Sequence, residues 1–249
     1  MNISFYNGVS GMLAYQEQLN QISNNIANSN TIGYKPDYST FSELLYTQMA
    51  VNSAETPLTG HGVKIEDSHL IYRQGPVQQT GNDLDFALVG DGFFAVQRPN
   101  GNIEYTRNGA FDISIEGNKG FLVTADGSHV LDAQGRAISL QRSPKGDMFD
   151  LSNLTDRLGI YDFPNPYGLV HSSGSCFRET EISGKAEAIK KNNDNTGRVY
   201  KLMAGAVEQS AVELADEMTG IITAQKAYQL NARMVQTADQ MEEIANNLR

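Results

Sequence analysis

Cysteine is almost absent from this chain of 249 residues: Cys176 stands alone, so no intrachain disulfide can form. A single cysteine fits best as a small buried hydrophobe. A catalytic thiol would need a histidine close by, and the four histidines, His61, His69, His129 and His171, are scattered without the spacing of a metal site. No metal and no cofactor is expected. Clustered positive charge is missing too. The formal net charge is −10, and the densest basic stretch, Lys190-Lys191, runs straight into Asn and Asp. Phosphate binding needs grouped Lys and Arg, which excludes nucleic acid as a partner. The first residues, Met1 to Phe5, lack the charged and apolar regions of a secretory signal. No run of roughly 18 apolar residues is present to cross a bilayer, so membrane insertion is not expected. Taken alone this reads as cytoplasmic, a reading that fails for a chain exported through a machine that recognises an uncleaved amino terminus.

What is present is heptad periodicity at both ends. Phe5, Met12, Leu19 and Ile26 recur every seven residues, with Gly8, Tyr15 and Ile22 three residues after the first three. The spacing predicts a helix from about Ser4 to Ile26 with a seam for lengthwise packing. Glu17 is the only charged side chain before Lys35; the remaining polar positions are largely Asn, Gln and Ser, a neutral face suited to a helix surrounded by protein. At the other end, Ala206 to Leu248 contains no proline and only Gly220 as glycine. Val207, Leu214, Ile221, Tyr228 and Val235 keep the seven-residue spacing, continued by Ala238, Met241, Ala245 and Leu248. This predicts a helix roughly 60 Å long. Glu208, Glu213, Asp216 and Glu217 would sit in its first turns, at the positive end of the helix dipole.

Between the helices the period changes to two. Phe94 to Gln97, Ile103 to Thr106 and Phe111 to Ile115 read as strands, punctuated by turn sequences such as Asn100-Gly101, Asn108-Gly109 and Asp126-Gly127. The expected architecture is a mainly β central domain with discontinuous amino- and carboxy-terminal α-helices that form a coiled-coil-like helical domain. The boundaries follow as residues 1–34 for the first helix, 35–79 for an extended linker arm, 80–202 for an all-β outer domain and 203–249 for the last helix. Within the arm, Phe41 to Met49 suggests a short helix and Val63 to Tyr72 an extended segment. Two narrow stripes joined only through a distant domain bury little as a pair, so they are expected to order on assembly.

Several segments carry a family resemblance that covers nearly the whole chain. Ser23-Asn24-Asn25-Ile26-Ala27-Asn28-Ser29-Asn30-Thr31-Ile32-Gly33-Tyr34-Lys35 is an Asn-rich helix end with Gly33 placed to turn the chain. Gly90 to Val96 and Tyr105-Thr106-Arg107-Asn108-Gly109-Ala110-Phe111 follow in the β region, as does Leu122 to Gly127. Gly90-Asp91-Gly92 lacks the third glycine and the following helix of a nucleotide loop. Near the end stand Gln225-Lys226-Ala227-Tyr228-Gln229-Leu230-Asn231 and Thr237-Ala238-Asp239-Gln240-Met241. Together these resemble the flagellar basal-body rod and hook protein family, nearest to its distal-rod branch with the proximal-rod branch second. Ile32 stands where members commonly have Pro, Lys226 where they have Arg, and Ala211 where many have Asn.

The resemblance implies a structural, non-enzymatic subunit of a hollow axial shaft in the bacterial basal body, sent out through the flagellar export apparatus. Its partners would be itself and other rod and hook proteins. The subunit interface would run through Met12, Tyr15, Leu19, Ile22 and Ile26 with Leu214, Ile221, Tyr228, Val235 and Met241. Asn24, Asn25, Asn28, Gly33, Tyr34, Gln225, Tyr228 and Asn231 carry the family motif. Two rivals compete. One is a cell-wall hydrolase drawing a carboxylate pair from Asp83, Asp85, Asp91 and Glu104, although nothing in their spacing singles out two. The other is a non-flagellar surface fibre, which would not need the Asn-rich signature.

Overall fold

The computed structural model describes residues 3–48, 58–117, 119–141, 149, 151, 153–189 and 200–248. The chain forms two compact units. One, the helical unit, comprises Met1–Ala27, Asp37–His69 and Glu213–Arg249; the other, the β-unit, comprises Asn28–Pro36 and Leu70–Val212. The stretch 35–79, read from sequence as one arm, is thus divided between them.

In the helical unit, helix α1 spans Ile3–Ala27. The strands β1 (Asp37–Glu43), β2 (Thr47–Gln48), β3 (Leu58–Thr59) and β4 (Val63–Leu70) follow. β1 pairs with β4 and β2 with β3. No short helix forms over Phe41 to Gln48, contrary to the expectation for that stretch; Met49 lies outside the described residues. The aromatic and hydroxyl side chains of Tyr38, Thr40 and Phe41 favour an extended backbone. Pairing with β4 then places the Phe41 ring 5.3 Å from that of Tyr15 on α1.

The β-unit contains β5 (Val77–Gln79), β6 (Phe86–Gly90), β7 (Phe93–Gln97), β8 (Ile103–Thr106), β9 (Phe111–Glu116), β10 (Lys119–Thr124), β11 (His129–Val130) and β12 (Ser139–Leu140). A one-turn helix α2 (Leu154–Arg157) precedes β13 (Ile160–Asp162), β14 (Val170–His171), β15 (Cys176–Arg178), β16 (Glu187–Ala188), β17 (Tyr200–Ala204) and β18 (Ala206–Glu208). The main sheet runs β12-β10-β11-β7-β8-β15-β14, with β9 on β10 and β13 bridging β7 to β16. Strand β7 shows why a run without alternation still makes a strand. Phe94 and Val96 join a cluster with Phe86, Phe111 and Leu122, whereas Phe93 and Ala95 join another with Tyr105, Phe163 and Phe177. Successive side chains point to opposite faces, and both faces are covered, so the whole run is apolar.

The carboxy-terminal helix α3 spans Leu214–Asn247, 34 residues, or about 50 Å. The expected start at Ala206 is corrected. Ala206–Glu208 is strand β18, paired antiparallel with β5, after a turn at Gly205 with φ 72°. Val207 therefore belongs to a strand despite keeping the heptad spacing, and Glu208 is not in the first helical turn. That turn holds Asp216 and Glu217.

Candidate assembly surface and junction

Within the helical unit, α1 and α3 run antiparallel. A Cβ on Gly8 would lie 2.8 Å from Val235 Cγ2, one on Gly11 2.8 Å from Asn231 Nδ2, and one on Gly220 3.2 Å from Ile22 Cδ1. The glycines admit the facing side chains, a packing that depends on having no Cβ there. The buried residues of α1 are Gly8, Gly11, Ala14, Ile22 and Asn25; those of α3 are Glu217, Ala224 and Ala238. Of the two α1 rows read from sequence, the one through Gly8 and Ile22 meets α3 at those positions, while Tyr15 between them packs its ring on Phe41. Its companion, three positions on, runs through Gly11 and Asn25, small and amide residues that carry no apolar signal.

At one end of this contact a polar node replaces apolar packing. Asn25 Nδ2 donates to Glu217 Oε1 at 3.1 Å and to the carbonyl of Asp37 at 3.0 Å. Asn25 Oδ1 accepts from the Asp37 amide at 3.2 Å, and Tyr38 donates its hydroxyl to Glu217 Oε1 at 2.9 Å. Glu217 is buried, and these bonds supply what its carboxylate loses by leaving water. The dipole reading of Glu217 missed this, because its partners lie far away in sequence.

The interface residues named from sequence fall into two groups. Ile22 is buried; Met12, Tyr15, Leu19, Ile26, Ile221, Tyr228 and Val235 are half-buried. Leu214 and Met241 are 47% and 55% exposed. They share that exposure with Met218, Ile222, Leu230, Met234, Ile244 and Leu248, so α3 carries a long open apolar surface. Among the motif residues, Asn24 and Gln225 are exposed, Asn28 and Asn231 half-buried, and Gly33 and Tyr34 buried.

Gly33, Tyr34 and Lys35 belong to the β-unit, and sequence reasoning gave no hint of what they meet there. Gly33 has φ 68°, and a Cβ on it would strike the Arg107 carbonyl carbon at 2.6 Å. Lys35 Nζ lies 2.5 Å from Glu208 Oε1, and Arg107 Nη1 lies 3.2 Å from Glu208 Oε2. The Gly75 amide adds a third bond to the same carboxylate at 2.9 Å. Lys35 also donates to the Arg73 carbonyl, and Arg107 to the carbonyls of Leu88 and Gly90. The Arg107 guanidinium stands 4.9 Å from the Tyr72 ring centre, a cation–π arrangement. All three charged side chains are essentially free of solvent. Burial pulls the Lys35 ammonium below its ordinary value; attraction to Glu208 opposes this, while Arg107 and Arg73 add to it. His171, one of the scattered histidines, stacks on Tyr34 with ring centres 5.7 Å apart and places Nε2 3.2 Å from the Lys35 carbonyl.

The carboxylates of the hydrolase reading have local structural partners or lie open. Asp85 accepts from Thr80 Oγ1 at 2.6 Å and Asn82 Nδ2 at 3.2 Å. Glu104 accepts from Arg98 Nε and from the Ser172 hydroxyl, each at 2.8 Å. Asp83 and Asp91 are exposed. Cys176 lies in the core beside Phe94 and Ile160, and burial pushes its thiol up to about 11, away from nucleophile chemistry. Among the described residues, no group of three or more His, Cys, Asp or Glu side chains is arranged to hold a metal, and no helix is long and apolar enough to cross a membrane.

These features define a mainly β chain with a helix at each end, its solvent-facing apolar surface concentrated on the helical unit. Three family models match in the same order along the chain. They are the flagella basal body rod protein model over residues 5–35, the flagellar hook protein FlgE/F/G D1 domain over 87–155, and the flagellar basal body rod FlgEFG protein C-terminal model over 203–248. The flagellar basal-body rod protein FlgG of Borreliella burgdorferi is 36% identical, covering 99% of this chain and 98% of the relative. FlgG of Bacillus subtilis is 34% identical over 98% of both. The flagellar hook-basal body complex protein FlhP of Bacillus subtilis is 31% identical over 94% of both. The chain belongs to the flagellar basal-body rod protein family. It is a FlgG-like structural component of the flagellar basal body.

Proposed function

We propose that this chain polymerises through its terminal helices into a hollow axial shaft, with α1 and α3 packed in coiled-coil fashion around the bore. The carrying observation is the apolar surface of α3, where Leu230, Met234, Ile244 and Leu248 lie within about 80° of one another around the helix and are each more than half exposed. An open apolar stripe of this length is an association surface. A heterologous contact that does not close on itself generates a filament. Met241 joins it directly, Leu214 adds exposed apolar surface at the other end of α3, and Met12, Tyr15, Leu19, Ile22, Ile26, Ile221, Tyr228 and Val235 set the helix pair that presents it. Neighbours are further copies and other rod and hook proteins. The chain leaves the cell through the flagellar export apparatus, and its helices reach final order on assembly. The role is mechanical rather than enzymatic.

The test is truncation before Met241, which removes Met241, Ile244 and Leu248 from the open stripe. The expected product is soluble with a folded β-unit by circular dichroism, and cells carrying it do not swim. Normal swimming by the truncated strain would refute assembly through α3.

A further inference from the structure

The backbone passes between the two units after Ala27, Pro36, His69 and Val212. On the β-unit side, the segments that meet these crossings are tied to one another. The Gly33 amide donates to the Glu208 carbonyl at 2.8 Å, and the Ala211 amide donates to the Tyr34 carbonyl at 3.0 Å. The Ile71 amide donates to the Pro36 carbonyl at 3.0 Å, and the Gln209 amide to the Pro76 carbonyl at 2.9 Å. Arg73 Nη2 reaches the Ala211 carbonyl at 3.2 Å. Entry, return and exit are therefore one hydrogen-bonded node, and the Glu208 carboxylate sits within it.

We propose that Glu208 is a latch: by holding Lys35, Arg107 and the Gly75 amide together, its carboxylate locks the entry, return and exit segments of the β-unit, and its release frees those segments while the main sheet stays folded. Three observations support this. Each group the carboxylate grips comes from a different segment, at residues 35, 75 and 107. The strand that carries Glu208 is only three residues long and pairs with the equally short β5, so its own ladder holds it weakly. The face of the main sheet built on Phe94, Phe111, Leu122 and Val130 shares no residue with the node, which reaches the opposite face where Arg107 lies 5.5 Å from the Phe93 ring centre. A buried ion pair adds little net stability over well-packed apolar side chains, yet removing one partner strands the other charge. Such a cluster opens as a unit when one member is lost.

Hydrogen–deuterium exchange on the full chain tests the latch. In Glu208→Gln, amides of 33–35, 71–75 and 208–211 should exchange about tenfold faster or more, while those of the β9–β10 hairpin stay within about twofold of the parent. Equal acceleration across both sets would reduce Glu208 to a general stabiliser, and no acceleration at the node would remove its role; either overturns the latch. If Glu208→Gln does not fold, Lys35→Gln removes one arm only and should give the same local pattern at smaller amplitude. A uniform or absent response there overturns the proposal equally.

Discussion

The β-unit and the helical unit use large apolar side chains in opposite ways. In the first, Phe86, Phe93, Phe94, Phe111, Phe163 and Phe177 are each at most 2% exposed. In the second, the buried positions of α1 and α3 are chiefly Gly, Ala, Asn and Glu, while Met and Leu on α3 face out. One unit covers most of its own apolar surface and the other leaves much of it exposed, as the proposed association would require. Under the proposed assembly the same kind of side chain governs stability in one place and association in the other, and substitutions should separate the two.

The largest effect on the single chain is expected at the centre of the sheet. Phe94 is fully buried, with its ring 5.4 Å from that of Phe111 in an edge-to-face contact. Phe94→Ala should cost about 3–5 kcal/mol by removing burial and leaving a cavity. Urea denaturation followed by circular dichroism measures it. A loss under about 1 kcal/mol would break the contrast, because the β-unit would then be no better packed than the helices.

Cys176 gives an intermediate effect with a defined pH window. Burial raises its thiol from 9.0 to about 11 in the folded chain. Below pH 9 the folded and unfolded chains both hold the proton, and the associated stability is fully present. Between pH 9 and about 11 the unfolded chain releases it while the folded chain retains it, so stability falls, by about 3 kcal/mol in all. Comparison with Cys176→Ala across this range isolates the contribution. Parallel pH profiles for the two proteins would show that the thiol is not held in a dry core.

The sequence made the two units legible to different depths. Phe93 to Val96 reads as a strand because turn residues bound it, and burial on both faces explains its lack of alternation. The helices were visible from their period, yet the row of α1 that completes the contact with α3 was not. Gly11 and Asn25 pack by being small or by hydrogen bonding, which hydrophobic spacing cannot register. The start of α3 was misplaced because Val207 falls in heptad register by coincidence, its conformation being set by pairing with Gln78 in β5. Glu208 was invisible as a junction residue for a similar reason. An acid just before a helix reads as dipole complementarity, and only the fold brings Lys35, 173 positions away, against it.

The smallest effect on stability should accompany the sharpest effect on association. Met234 and Met241 are each 55% exposed in the single chain, so replacing both with Gln removes little burial and keeps good helix formers in α3. The expected change in stability is within about 0.5 kcal/mol. If the open face of α3 is an interface core, the same pair of substitutions places two polar amides where a neighbour would bury them without partners, which costs roughly 1–3 kcal/mol each. Sedimentation of the purified chain at rising concentration, with motility of the complemented strain, reads this directly. Unchanged folding with lost association is expected. Unchanged association would move the interface to another face of the helical unit, and lost folding would mean that these methionines pack within the chain after all.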